Sequence, residues 1–454
     1  MLPTICDMKQ RKPRILIAPM EIAGQYRNLA IAIRSHGRDC DYYTFYSHPF
    51  NYGSDLGYCL IPRLMRSVHA YGKAGSFLKR CTSIAVFELL RAVFFLYALA
   101  RYDAFVFGYG LSLLRRNQDL FLLKLFGKRV IANMSHGSDM TPDYLDGALL
   151  DKGGSMPAPA HLVASTRSKL KTIRRFEKHA SIIIGSPLSS SYLAAQPFIN
   201  IFAIGRVCQA DANQKTVRSS QSTIDRSIRL LHVPSHAPGK GTLEIESAIS
   251  SLQKKGFQIQ YKRLSGVPNS QVLAAIEECD LVVDQLYADL PMSGLACEAA
   301  CLGKPSLLGG YELLDLRQVI PSNWFPPTCI CEPLSLEDEL QRLICEPTLL
   351  LAKGEELLRF VTTQWDPVAV STRYLCLIDF QPIPDDWYFD PCSMSNCYGY
   401  GLSAERVKSS IRQILTCFGV SALCLEHRPT LEVSLCELAG VDPADIQSLT
   451  GKPS

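Results

Sequence analysis

His232-Val-Pro-Ser-His-Ala-Pro-Gly-Lys-Gly-Thr-Leu-Glu-Ile-Glu-Ser-Ala-Ile249 follows an apolar run, Ile228 to Leu231, and leads into a segment of helical period. A short apolar run reads as a buried strand, and apolar residues spaced at 3.6 read as one face of a helix. The stretch is therefore a β-loop-α unit whose loop sits at the start of a helix. Backbone N–H groups in such a loop point outward, and the helix macrodipole favours negative charge there. Gly239 and Gly241 let the backbone approach closely, Ser235 offers a hydroxyl and Lys240 a point charge. The pattern suits a phosphate or diphosphate, although a plain turn with a solvated lysine uses the same residue types. It is not a Walker A motif, because Gly239-Lys240-Gly241-Thr242 lacks the Gly-x4-Gly-Lys-Ser/Thr spacing.

The same alternation extends in both directions. Upstream, Arg14 to Ala18 is an apolar run that ends at Pro19, and a helical pattern then continues to Gly37. Strands are expected at Ala104–Phe107, Arg129–Asn133 and Ser181–Ile184, with a helix over Leu120–Phe126. Downstream, strands at Phe257–Tyr261, Leu281–Asp284 and Ser306–Leu308 alternate with helices at Thr242–Lys254, Ser270–Glu278 and Ser293–Leu302. Apolar strands between helices indicate parallel sheets covered on both faces. Residues 209–226 are polar and without period, which marks a linker. The expected layout is an α/β domain over 1–208, the linker 209–226 and a second α/β domain over 227–365. A helix over 366–380 then returns to the first domain, and 381–454 forms a small, mostly helical extension. At 454 residues the chain is long enough for this.

Composition narrows the function classes. Lysine and arginine exceed acids by only four, so nothing supports a nucleic-acid partner. The seventeen cysteines are scattered and form no Cys-x-x-Cys pair, and Cys329-x-Cys331 and Cys392-x4-Cys397 lack a matching second pair. Free thiols in a reducing cytosol are expected, with no metal. The first fourteen residues lack the apolar core of a signal peptide. The most apolar segment, Ile84 to Ala100, carries Glu88 and Arg91 and is expected to be a buried or half-buried helix.

A second chemistry-bearing stretch runs from Asp284 to Pro305. Ser293 is a natural N-cap, Gly303 a stop, and Pro305 cannot continue the helix. Glu298 then lies on an apolar helix and requires a partner, a role that a ribose diol fills. The N–H groups near Ser293 and Gly294 open onto the same crevice as the Lys240 loop if both strands are parallel.

The segment Ile228 to Gly310 resembles the donor domain of GT-B glycosyltransferases, retaining enzymes that use nucleotide-diphospho-sugars. The matching motifs are His232-x-Pro234-Ser235, Lys240-Gly241-Thr242, Asp284-Gln285 and Glu298-Ala-Ala-Cys-Leu-Gly303-Lys304-Pro305. By that resemblance Lys240 contacts the diphosphate and Glu298 the ribose. The family's Glu-x7-Glu pattern places its first glutamate at position 290, which is Leu290, and Asp289 beside it is the expected substitute. Ala23-Gly24-Gln25-Tyr26-Arg27 resembles the family's first glycine loop, which approaches the donor phosphates, so Gly24 and Gln25 join the candidate donor residues. Ser135-His136-Gly137-Ser138-Asp139 resembles the strand end that places His136 and Asp139 on the acceptor side, a reading favoured over a plain capped turn because open α/β sheets bind ligands at strand ends.

The resemblance implies a fold of two Rossmann-like domains facing a cleft, and a UDP- or GDP-sugar donor with no metal. It implies transfer to a glycan or glycolipid hydroxyl in polysaccharide assembly, in the cytoplasm and near the inner face of the membrane. A nucleotide-sugar epimerase and a non-catalytic relative share this architecture. The basic helical segment Arg167 to His179, helped by Arg63 to Arg80, suggests peripheral contact with an anionic membrane, although a solvated surface helix is the plainer reading. Gly399-Tyr-Gly-Leu-Ser403 carries no assignable chemistry.

Overall fold

The computed structural model describes residues 12–47, 53, 55–73, 76–208 and 227–441. The expected linker 209–226 lies outside the described residues. Two sheets organise the chain. The first contains β1 (Ile15–Ile17), β2 (Cys40–Tyr42), β3 (Ala104–Gly108), β4 (Arg129–Met134), β5 (Ile182–Gly185) and β6 (Phe198–Asn200). The second contains β7 (Ile228–His232), β8 (Ile259–Arg263), β9 (Leu281–Val283), β10 (Ser306–Gly309) and β11 (Cys329–Cys331). A last short strand, β12 (Tyr388–Phe389), adds antiparallel to β6 and makes the first sheet seven-stranded, in the order β12-β6-β5-β4-β3-β1-β2. The second sheet is wholly parallel, in the order β11-β10-β9-β7-β8.

Side chains that alternate along a strand line opposite faces, and the second sheet uses both. Leu230, Leu281 and Val283 pack with Ile245, Ile249 and Leu252 of the helix Thr242–Lys254 and with Leu336, Leu340 and Leu343 of Leu336–Cys345. Their neighbours Leu231 and Val282 pack the other way, on Val272, Ala275 and Ile276 of Asn269–Glu278 and on Ala299 of Gly294–Cys301. This is the doubly wound architecture that the apolar runs imply.

The chain divides into two compact units that cut across its order. The first comprises Met1–Asn133, Arg175–Ile183 and Pro367–Asp385, and the second Met134–Arg174, Ile184–Asp366 and Asp386–Ser454. Within the first unit the helix Pro367–Ile378 packs on Gln25–Ser35. Buried Arg38 holds Asp379 through two bonds of 2.6 and 2.7 Å, the fork geometry that makes such a pair specific. Within the second, the helices Ala404–Phe418 and Pro429–Ala439 pack together as a helical extension. It is tied down by Tyr144 donating to Leu423 O and by Ser410 donating to Tyr144 O.

Two expectations shift. β8 begins two residues later than its apolar run, because its register is set by pairing with β7 (Ile228↔Ile259) and its side chains are largely exposed. The apolar segment around Ile84 belongs to a 25-residue helix, Phe77–Arg101, that buries only one stripe. It is long and apolar enough, by length and composition, to cross a membrane, and 33% of its most apolar window is buried. The sixteen described cysteines are all free, and several of them are exposed.

Candidate functional site

Three loops of the second unit follow the carboxyl ends of parallel strands, where open α/β sheets bind ligands. After β4 comes Ser135 to Asp139. The backbone N–H of His136 donates to Asp139 Oδ2 at 3.2 Å, so one carboxylate oxygen closes the turn. The other oxygen, Oδ1, is buried and accepts no hydrogen bond, although Asp139 is only 7% exposed. Burial pushes this carboxyl up to about 7, against the pull of the His136 N–H, Lys169 and Arg206. Burial also holds His136 down, to about 3, and nearby Arg206 adds to the effect, so the imidazole is neutral near pH 7.

After β9, Asp289 is 4% exposed and its Oδ2 is likewise buried without a hydrogen-bond partner. Burial raises Asp289 to about 6, Asp146 adds to the rise, and Arg206 and Lys240 oppose it. A Cβ built on Gly137 would stand 3.2 Å from that Oδ2, so the His136–Asp139 turn and Asp289 face each other. Leu290, where the resemblance led to the expectation of a glutamate, is buried. A buried polar atom without a partner costs on the order of 1–3 kcal/mol, and two such oxygens in one neighbourhood mark a site arranged for something other than stability.

The loop after β7 supplies the cation. His236 caps the helical turn Ala237–Lys240 by accepting from Gly239 N–H, and Gly241, at φ 69°, starts the helix Thr242–Lys254. Lys240 donates to Gln285 Oε1 and lies 3.8 Å from Asp284, which also takes the Ser293 hydroxyl. Burial alone lowers the Lys240 pKa, but Tyr400, Asp284 and Asp289 outweigh it and hold the ammonium above its ordinary value. Ser293 caps the helix Gly294–Cys301 by accepting from Ala296 N–H at 3.3 Å. Glu298 has found its partner in Asn269, whose amide donates to it at 2.8 Å; burial raises its pKa and Asp284 adds to that. Asp284 thus interacts with both Lys240 and Glu298, which places the two residues around one carboxylate.

Other candidates fall outside this cluster. Ser235 is exposed. His232 is buried between Val283 O and Thr242 Oγ1 and serves the fold. In the first unit, Gly24 takes φ 75° at the start of the helix Gln25–Ser35, as its glycine character implies. The anion at that helix start belongs to the chain itself. Glu21 accepts from Ile22, Tyr26 and Arg27 N–H and from the Tyr42 hydroxyl. Gly24 and Gln25 therefore shape a turn around an internal carboxylate, a role that the motif alone did not reveal. Two of the bases of Arg167–His179 are engaged within the protein as well. Lys169 pairs with Asp143 and donates to Ser138 O and Thr141 O, and Arg174 donates to Leu193 O.

The structure adds residues that the motif reading missed. Arg206 is buried, donates to Ser135 O at 3.1 Å and acts on His136, Asp139 and Asp289. Asp146 acts on Asp139 and Asp289. Tyr400 enters from the C-terminal extension. Its backbone pairs with Leu145 and Gly147, Gly401 N–H donates to Tyr287 O at 2.8 Å, and its phenol hydrogen-bonds Lys240. Gly399 and Gly401 have φ 66° and 69°, and a Cβ at Gly399 would meet Leu145 O at 2.1 Å. The available signal was the Gly-Tyr-Gly spacing itself, an aromatic held between two residues able to adopt positive φ. Among the described residues, no group of three His, Cys, Asp or Glu side chains converges as a metal-ligand set.

No family model matches the sequence, and no curated protein matches it. Among solved structures the chain is similar to HepE of Anabaena in complex with UDP-glucose, at 12% identity and TM-score 0.44, covering 80% of this chain and 98% of that one. It is similar to the glycosyltransferase SsfS6 of Streptomyces sp. SF2575, at 13% identity and TM-score 0.36, covering 80% of this chain and 99% of that one. It is also similar to the glycosyltransferase SnogD of Streptomyces nogalater, at 12% identity and TM-score 0.38, covering 81% of this chain and 100% of that one.

Proposed function

We propose that this chain is a GT-B glycosyltransferase that moves a sugar from a UDP- or GDP-linked donor to a hydroxyl of a glycan or glycolipid, with retention of configuration. The observation that carries the reading is the pair of buried carboxylates, Asp139 and Asp289, each with an unpartnered oxygen, beside the cations Lys240 and Arg206. Acids raised to about 7 and 6 can hold or release a proton near neutrality, which general acid–base work requires. Positive charge fixed in a buried site stabilises a departing diphosphate. In this reading Lys240 exchanges its contact with Gln285 for the diphosphate, and the N–H groups at Ser293 and Gly294 face the same group. Glu298 takes the ribose beside Asn269. Asp289 orients the sugar hydroxyls. Asp139 takes the proton of the acceptor hydroxyl and passes it to the departing diphosphate, as the new bond to the acceptor oxygen forms on the face where the bond to the diphosphate breaks, which retains the configuration. Neutral His136 polarises the reacting groups through a hydrogen bond. Peripheral work at the cytoplasmic face of a membrane suits a glycolipid acceptor.

The test is calorimetric titration with UDP- and GDP-sugars, followed by product analysis with donor alone and with donor plus acceptor. Saturable binding is expected, and Lys240→Ala should weaken it by about 1–3 kcal/mol, the scale of a lost charged hydrogen bond. Failure of every nucleotide to bind would overturn the reading, and conversion of the donor without an acceptor would favour an epimerase.

A further inference from the structure

The helix Phe77–Arg101, in the first unit, has two apolar faces. One carries the buried residues Ser83, Phe87, Arg91, Phe94, Phe95 and Ala98. Phe94 meets Tyr43 and Phe45 at centroid distances of 5.7 and 5.4 Å, and Phe87 stacks on Tyr46 at 5.7 Å. Arg91 on this stripe donates to Leu113 O at 2.9 Å and pairs with Glu88 at 3.2 Å. The outward face carries Val86, Leu89, Val93 and Leu96, spaced three, four and three residues apart, with Leu89 and Leu96 65% and 64% exposed. A surface helix ordinarily turns charged residues to water on that side. From Ala85 to Ala100 the only charged residues are Glu88 and Arg91, which pair with each other.

The preceding helix, Ile61–Lys73, continues the pattern with exposed Leu64 and Tyr71, and Leu60 is exposed just before it. Scattered apolar residues on a surface are ordinary, but a row of them is not. Charge identifies the occupant. Residues 58–101 hold seven lysines and arginines against one acid, Glu88. Arg66, Arg91 and Arg101 are engaged by Asp55, Glu88 and Asp39. The remaining four, Arg63, Lys73, Lys79 and Arg80, are exposed and cluster in the first helix and around the junction of the two.

We infer that these two helices form an interfacial anchor that lies on an anionic lipid surface. The apolar row enters the boundary between headgroups and acyl chains while the four exposed cations, Lys79 among them over the Tyr71 ring, meet lipid phosphates. The helix lies on the membrane rather than across it, because its other stripe, Arg91 included, is committed to the core. A protein partner fits less well, since such interfaces carry roughly one hydrogen bond per 100–200 Å² and Val86, Leu89, Val93 and Leu96 offer no polar side chain. A second copy would bring cations against cations. The inference stands on this surface alone and is read whether or not a nucleotide-sugar binds.

The test is co-sedimentation of the full chain with phosphatidylcholine vesicles, with and without phosphatidylglycerol. Wild-type protein should pellet with the anionic vesicles, weaken about tenfold on neutral ones and release at high salt. The double variant Leu89→Glu/Leu96→Glu should stay in solution, and Lys79→Ala/Arg80→Ala should bind about tenfold more weakly. Both changes fall on exposed side chains, so circular dichroism and the melting temperature should match wild type. The emission of Leu96→Trp should shift to the blue on anionic vesicles. Wild-type protein that remains in the supernatant, vesicle binding by Leu89→Glu/Leu96→Glu equal to wild type, or a vesicle-free dimer that this variant dissociates would each overturn the inference.

Discussion

Replacing Asp139 by Asn tests whether the site is held at the expense of stability. The native carboxyl is raised by burial to about 7, from an ordinary value of 3.8. Between those values the native state keeps a proton that the unfolded chain has released. The contribution of this carboxyl to wild-type stability is therefore full below about pH 4, falls as the pH rises towards 7, and is level above that. At about 1.36 kcal/mol per pKa unit, a rise of about three units corresponds to roughly 4 kcal/mol at most. Structural relaxation and water entry on ionisation bring the working figure nearer 2 kcal/mol. Asparagine keeps the neutral shape, and its carbonyl oxygen can accept from His136 N–H as Oδ2 does. Urea unfolding of both proteins at several pH values measures the difference directly. The variant should match wild type near pH 4 and exceed it by about 2 kcal/mol near pH 8, while losing turnover. A variant that is equally or less stable near pH 8, or a difference that does not grow with pH, would refute the assignment of a buried, unsatisfied carboxyl.

Two further outcomes probe the strap from the C-terminal extension. Tyr400→Phe removes the phenol hydroxyl from Lys240 while keeping the ring, so affinity for the proposed nucleotide-sugar should fall by about 1 kcal/mol, the scale of one hydrogen bond, with little change in melting temperature; titration calorimetry and a thermal scan separate the two effects. Gly399→Ala meets both positive φ and the Leu145 carbonyl, and should destabilise the protein by about 1–3 kcal/mol, read by denaturant midpoint.

The C-terminal extension shows why some of the site was hidden. Gly399-Tyr400-Gly401 lies more than a hundred residues from Lys240 and more than two hundred from Asp146, and the backbone pairing with Asp146 that brings its phenol to Lys240 is recorded in no local pattern. Arg206 was missed for a similar reason, since a lone arginine after a glycine has no periodicity. The first glycine loop is a different case. Its motif was visible, but the anion it surrounds is Glu21, three residues upstream of Gly24, and only the hydrogen bonds reveal that.

Sequence alone determined the elements that depend on local chemistry. The apolar runs at Ile228, Leu281 and Ser306 became parallel strands, because a strand buried on both faces must be apolar throughout. Ser293 became an N-cap, because its hydroxyl satisfies an N–H that the helix cannot. Tertiary structure decided the rest. It left the outer face of Phe77–Arg101 uncovered, turned Asp289 rather than Leu290 towards the His136–Asp139 turn, and seated Tyr400 on Lys240. Burial, which shifts these pKa values and leaves two oxygens without partners, arises from residues distant in the chain, and no stretch of sequence carries it by itself.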